Sequence, residues 1–185
     1  MQNDLEKRIC RDLIDPHQCA TIAGGYSCAV SDMAPAVRPT FEAVLLKARR
    51  PILLVPDKAV GPVGHNVAIA WNRTAEAAGP LSAAMPFLDS AVAVHLLTAA
   101  SSRTDADELD GAADYLGWHG IGCERHVVGP GHSSVGAALT KKAVDTGADL
   151  LVMDGFGHHR LRERILGGVT HHVLNHAELP ILIAH

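Results

Sequence analysis

The residues best placed to do chemistry lie in the last third of the chain. Asp154, Gly155 and Gly157 follow an apolar run, and Gly167, Gly168, Val169 and Thr170 open a helical pattern. Glycines let a backbone approach a bound group closely, and free N–H groups at a helix start attract negative charge. Such a loop between strand and helix can hold phosphate. It can equally be a plain turn, with Asp154 accepting local backbone N–H groups. The second concentration is histidine: His158, His159, His171, His172 and His176. His172 and His176 are four apart and share a helix face, a spacing that can bind zinc. Val173 follows His172 where an HExxH motif needs Glu, and no nearby cysteine completes a set, so surface or interface packing is the reading. His65, His95, His119, His126 and His132 are dispersed and read as structural. His95 falls in a buried strand and needs a hydrogen-bond partner.

No nucleophile elbow, Walker lysine or spaced carboxylate pair occurs, and no catalytic residue is assigned. Ser133 and Ser134 read as helix caps, and Lys141 and Lys142 as solvated. Arg160 is within reach of a phosphate at the loop, but with Arg162, Arg164 and Glu163 it reads as a charged, solvated face.

Strands alternating with helices must position these groups. From Gly64 onward, strands are expected at His65–Asn72, Ala91–Thr98, Ile121–Val128, Asp149–Met153 and Pro180–Ala184. Helices are expected at Thr74–Leu88, Thr104–Trp118, Ser133–Thr146 and around Val169–His176. Thr74 suits an N-cap, and Pro80 is expected to kink the first helix or delay its start. Near-continuous apolar strands joined by helices imply a parallel sheet with right-handed crossovers, buried on both faces. Ligands of such sheets bind outside the carboxyl ends of the strands, at the topological switch point. That singles out Trp71–Thr74, Gly129–Gly131 and Asp154–Gly157.

The first 63 residues read differently. Cys19–Arg38 is rich in small residues with no helical period, while Phe41–Arg49 reads as a helix and Pro51–Val55 as a strand. Setting Pro51 on Pro180, an offset of 129, matches Val44 with Val173, Leu45 with Leu174, Ala48 with Ala177, Ile52 with Ile181 and Leu53 with Leu182. The chain therefore divides into 1–63, holding the last helix and strand of an incomplete first copy (about 40–55) plus a Pro/Gly linker, and a complete domain at 64–185.

Composition agrees with an α/β domain. Hydrophobic residues make up 48% of the 185 and charged ones 19%, enough to fold. Aromatics are 4%, so Ala, Val, Leu and Ile must form the core. A net charge of −4 argues against nucleic acid. No apolar run is long enough to span a bilayer, and the N-terminus is too polar for a signal peptide. Cys10, Cys19, Cys28 and Cys123 form no CxxC and read as reduced thiols, so the expected location is cytoplasmic.

The stretch Asp149–Ala184 resembles the C-terminal third of universal stress proteins, where a Gly-x2-Gly-x9-Gly-Ser/Thr loop follows a strand. AIAWNRTAEAA is similar to the family's first strand and turn, and VVGPG to the turn after its third strand. VLLKARRPILLVP looks like the end of a first domain in tandem members. The resemblance implies a Rossmann-like open five-stranded parallel sheet, order 3-2-1-4-5, flanked by helices, with an extra N-terminal helix–strand remnant. It also implies pairing through the final strand, either with Pro51–Val55 in the same chain or in a homodimer.

The family contains both ATP binders and non-binders. On its loop pattern Gly157 and Gly167 match, Asp154 replaces the first glycine, and Gly168 replaces the Ser/Thr, with Thr170 two residues on. Asn72 stands where nucleotide binders usually carry Asp. A carboxylate beside a triphosphate repels it unless a metal or Arg intervenes. Asp154 is therefore expected to take a polar role at the crevice, toward a ribose hydroxyl. The residues implied for ATP, ADP or AMP, with Mg as a companion ion, are Asn72, Thr74, Gly129, Asp154, Gly155, Gly157, Gly167, Gly168, Val169 and Thr170. The function implied is stress-response regulation through protein partners. Alternatives are a structural or chaperone-like interaction module with a vestigial loop, and a slow ATP hydrolase.

Overall fold

The computed structural model describes residues 20–23, 44–45, 50–56, 61–72, 78–100, 105–129, 134–155, 168–176 and 178–185. Among the described residues the strands are β1 (Ala20–Ala23), β2 (Ile52–Val55), β3 (Asn66–Ala70), β4 (Ala93–Ala99), β5 (Glu124–Val128), β6 (Leu150–Asp154) and β7 (Ile181–Ala184). The helices with described ranges are α1 (Ala78–Leu88), α2 (Asp105–Trp118), α3 (Val135–Asp145) and α4 (Gly168–His176). One sheet runs β1-β2-β7-β6-β3-β4-β5. Within 64–185 this is the expected order 3-2-1-4-5, with every neighbouring pair parallel.

Two strands from the first segment widen the expected five-stranded sheet to seven. β2 pairs antiparallel with β7, in the register Ile52↔Ile183, Leu53↔Leu182, Leu54↔Ile181. β1 pairs parallel with β2. Cys19–Arg38, read as rich in small residues with no helical period, contains this first strand. Ala-Thr-Ile-Ala is too short to show a period, and β2 supplies the hydrogen bonds that make it a strand.

The apolar strands bury both faces. One core joins Val67, Ile69, Leu96, Leu150, Val152 and Leu182 to Leu81, Ala84 and Phe87 of α1 and to Leu109, Ala112 and Leu116 of α2. The other joins Ala68, Leu97, Leu151, Met153, Ile181 and Ile183 to Leu139 and Ala143 of α3 and Val173 of α4. Alternation along β6 sends Leu150 and Val152 to one core and Leu151 and Met153 to the other.

Ser134 caps α3, its Oγ accepting from the Ala137 N–H at 3.2 Å; Ser133 lies outside the described residues. The helix ends where Gly147 takes φ +73° and the Ala148 N–H returns to the Ala143 carbonyl at 3.0 Å. Lys141 pairs with Asp145 one turn on, at the surface. Described α1 begins at Ala78, with Pro80 buried in its first turn; Thr74 lies outside the described residues. Among the described residues no helix is long and apolar enough to cross a membrane.

Candidate functional site at the carboxyl ends of the strands

The chain leaves β3 for β4 and β5 on one side and returns to β6 and β7 on the other. The switch point therefore lies between β3 and β6. Their last registered pair is Ile69↔Val152. Two residues further along each strand stand Trp71 and Asp154. The Trp71 N–H donates to the Leu97 carbonyl at 2.8 Å, so the β3–β4 ladder runs to the edge of the crevice. Asn72 follows, exposed.

Asp154 is the last residue of β6, not a loop residue, and it is 9% exposed. The strand expected at Asp149–Met153 is shifted by one, which leaves Asp149 outside it. In the ladder Asp154 faces Ala184, and the Gly155 N–H donates to the Ala184 carbonyl at 2.9 Å. His185, one residue past β7, brings Nδ1 to 3.4 Å from Asp154 Oδ1. The contact becomes an ion pair when the imidazole is protonated. Sequence reasoning did not place His185 here. The one available signal was that parallel β6 and β7 end together.

Gly155 is buried, and its missing side chain is filled by neighbours. A Cβ there would stand 2.7 Å from Leu45 Cδ2 and 2.8 Å from Ile183 Cγ2. Leu45, fully buried, comes from the first segment, so that segment packs under the crevice. The role visible for Gly155 is thus close packing. Gly129 and Gly168 differ: both are exposed, and a Cβ at either meets nothing within 4 Å among the described residues. Gly168 opens α4. Val169 is half-buried against the core, and Thr170 is 4% exposed in the helix. Gly157, Gly167, His158, His159, Arg160, Arg162 and Arg164 lie outside the described residues.

The structure therefore brings Asp154, Gly155 and His185 together and leaves backbone open at Gly129 and Gly168. A shielded carboxylate accepts hydrogen bonds from hydroxyls, and open glycine backbone admits phosphate. His172 and His176, read as surface packing, stack with ring centroids 4.2 Å apart, and the His176 ring meets the His172 carbonyl at 2.8 Å.

Residues 76–185 match the Universal stress protein family. No curated protein matches the chain. Among solved structures, a universal stress protein from Archaeoglobus fulgidus superposes with a TM-score of 0.70 at 18% identity, covering 91% of this chain and 63% of its own. One from Pseudomonas aeruginosa gives 0.63 at 16% identity, covering 90% and 63%. This chain thus spans less than two thirds of each of those two. A universal stress protein in complex with cAMP gives 0.55 at 23% identity, covering 65% of this chain and 96% of its own.

Proposed function

The chain belongs to the universal stress protein family, and from that premise we propose that it is a cytoplasmic stress-response regulator whose 64–185 domain takes an adenine nucleotide at the carboxyl ends of β3 and β6. The observation that carries this reading is Asp154, a shielded carboxylate at the switch point, on a fold shared with a universal stress protein in complex with cAMP. Asp154 accepts from a ribose hydroxyl, a role that keeps its charge away from the phosphates. The phosphates lie toward the backbone at Gly129 and Gly168, beside Asn72 and the start of α4; Gly157 and Gly167, the other loop glycines, lie outside the described residues. Val169 and Thr170 supply helix-start N–H groups, and Mg accompanies a triphosphate.

The first segment, in this proposal, is the end of a first universal stress domain. The β2–β7 register supports it. Leu53 faces Leu182, the residue its 129-residue repeat makes equivalent, so the pairing is centred on a pseudo-two-fold axis, as in an isologous interface. β2 covers the β7 edge within the chain, and a homodimer would use another surface.

One observation favours a second reading, an interaction module that binds no nucleotide: His185 already contacts Asp154, and Leu45 and Ile183 fill the space beside Gly155. Calorimetry with AMP, ADP, ATP and cAMP, with and without magnesium, separates the two. Nucleotide binding is expected in the folded protein. Asp154→Ala is expected to weaken it about tenfold or more, the worth of one charge-assisted hydrogen bond. No binding, or tighter binding by Asp154→Ala, overturns the ribose role and leaves the interaction module.

A further inference from the structure

A group of titratable side chains unconnected with the crevice lies between β4 and the sheet's outermost strand, β5. The register pairs His95 with Glu124 and Leu97 with His126. Registered neighbours, and residues two apart on a strand, point to the same face. His95, Glu124 and His126 therefore share the face that Leu97 presents to Leu139 and Ala143 of α3. They occupy the first and third rungs of a ladder whose last rung is Ala99↔Val128. The crevice begins beyond that last rung.

The three contacting atoms form a compact triangle. His95 Nδ1 lies 3.2 Å from His126 Nε2 and 3.4 Å from Glu124 Oε2, and the last two are 3.6 Å apart. Ligands held about 2.0–2.1 Å from a tetrahedral zinc ion lie about 3.3–3.4 Å from one another. The triangle is thus close to one face of such a tetrahedron. Each ring can turn an N–H toward the Glu124 carboxylate or toward the other ring, but whichever tautomers are present, one side of the triangle is left with two protons or two lone pairs facing each other. The Glu124 side chain is 72% exposed, so packing does not force it onto the two rings. A cation satisfies all three atoms together.

We propose that His95, Glu124 and His126 form a binding site for a divalent cation of the zinc class. Two imidazoles and a carboxylate suit zinc, and the fourth position opens toward solvent on the Glu124 side. The buried ring, His95, is anchored in β4, and the two outer ligands belong to β5. The ion would clamp the edge strand to the sheet. Lys142 on α3 repels positive charge at His126, which weakens the site without closing it.

The test uses the full chain, stripped with chelator and titrated with Co2+ alone. Expected is one equivalent of cobalt with the strong visible absorption of a four-coordinate ion, displaced by Zn2+. The chain has 12 histidines, so stoichiometry alone does not locate the site. His126→Gln and Glu124→Gln change side chains on the edge strand and leave buried His95 in place. Losing even an outer partner of a metal ligand costs roughly tenfold or more, so each is expected to weaken cobalt binding at least about tenfold. His172→Gln and His176→Gln are expected to leave it unchanged. Zn2+ is also expected to raise the Tm of the wild type and not of His126→Gln, since an ion bound only by the folded state stabilises it. Absence of the band in folded protein, or a band and affinity that survive both His126→Gln and Glu124→Gln, overturns the proposal.

Discussion

Two aspartates close the two ends of β6, and they do different things. Asp149, just before the strand, accepts backbone N–H groups from Gly64 at 2.8 Å, Asn66 at 3.1 Å and His65 at 3.2 Å. It ties the start of β3 to the start of β6. Asp154, the last residue of the strand, is more deeply buried and meets the titratable His185 at 3.4 Å. A carboxylate held by three fixed backbone donors has little accepting capacity left for a ligand, whereas one facing a side chain can change partners when that side chain turns away. The structural carboxylate thus sits at the end of the sheet where ligands do not bind, and the candidate functional one at the end where they do.

The comparison breaks most severely at Gly64. Its φ of +89° aims the N–H that Asp149 accepts, and a Cβ there would lie 2.7 Å from Phe87 Cδ1 and 3.3 Å from Phe87 Cβ. Gly64→Ala combines a left-handed backbone with overpacking of α1. The expected loss is about 3 kcal/mol or more by denaturant unfolding. A loss below about 1 kcal/mol would mean that Asp149 can be satisfied without this turn.

The aspartates themselves give the next largest effect. Asp149→Asn replaces one acceptor oxygen by an NH2 group facing backbone donors, at a cost of about 2 kcal/mol. Asp154→Asn keeps the shape and removes a shielded charge, with an expected cost of about 1 kcal/mol or less. Equal costs in paired unfolding curves would make Asp154 a second structural carboxylate and remove the contrast.

The two ends were unequally legible in the sequence. The alternation of apolar strands and helices pointed to a parallel sheet over 64–185, buried on both faces, and the resemblance to universal stress proteins supplied its order. Asp154 and its glycines stood out because glycine in a strand-to-helix connection has few uses. The Asp149 cradle did not, since three backbone donors from residues 83–85 positions away leave no mark in a sequence. Leu45 beneath Gly155, and His95 beside Glu124 and His126, were equally hidden, because tertiary packing brings the first pair together and strand register the second group. β1 escaped notice because four small and apolar residues carry no period.

The smallest effect is in pH, and it falls on a residue outside both carboxylates. His172 on α4 packs against α3, where a Cβ on Gly136 would lie 2.8 Å from the His172 Cβ. Burial against that surface, then the charges of His176 and His171, hold its imidazole below the usual histidine range. As pH falls past about 6.5, the unfolded chain takes up this proton before the folded one does. Stability is therefore full above that pH and declines as pH falls toward the folded value. His172→Gln is expected to flatten the acid side of a Tm-against-pH series, leaving the neutral side nearly unchanged. Only the difference between the two proteins is informative, because every other group is common to both. If the two series run parallel through the acid range, the α3–α4 contact does not govern the imidazole.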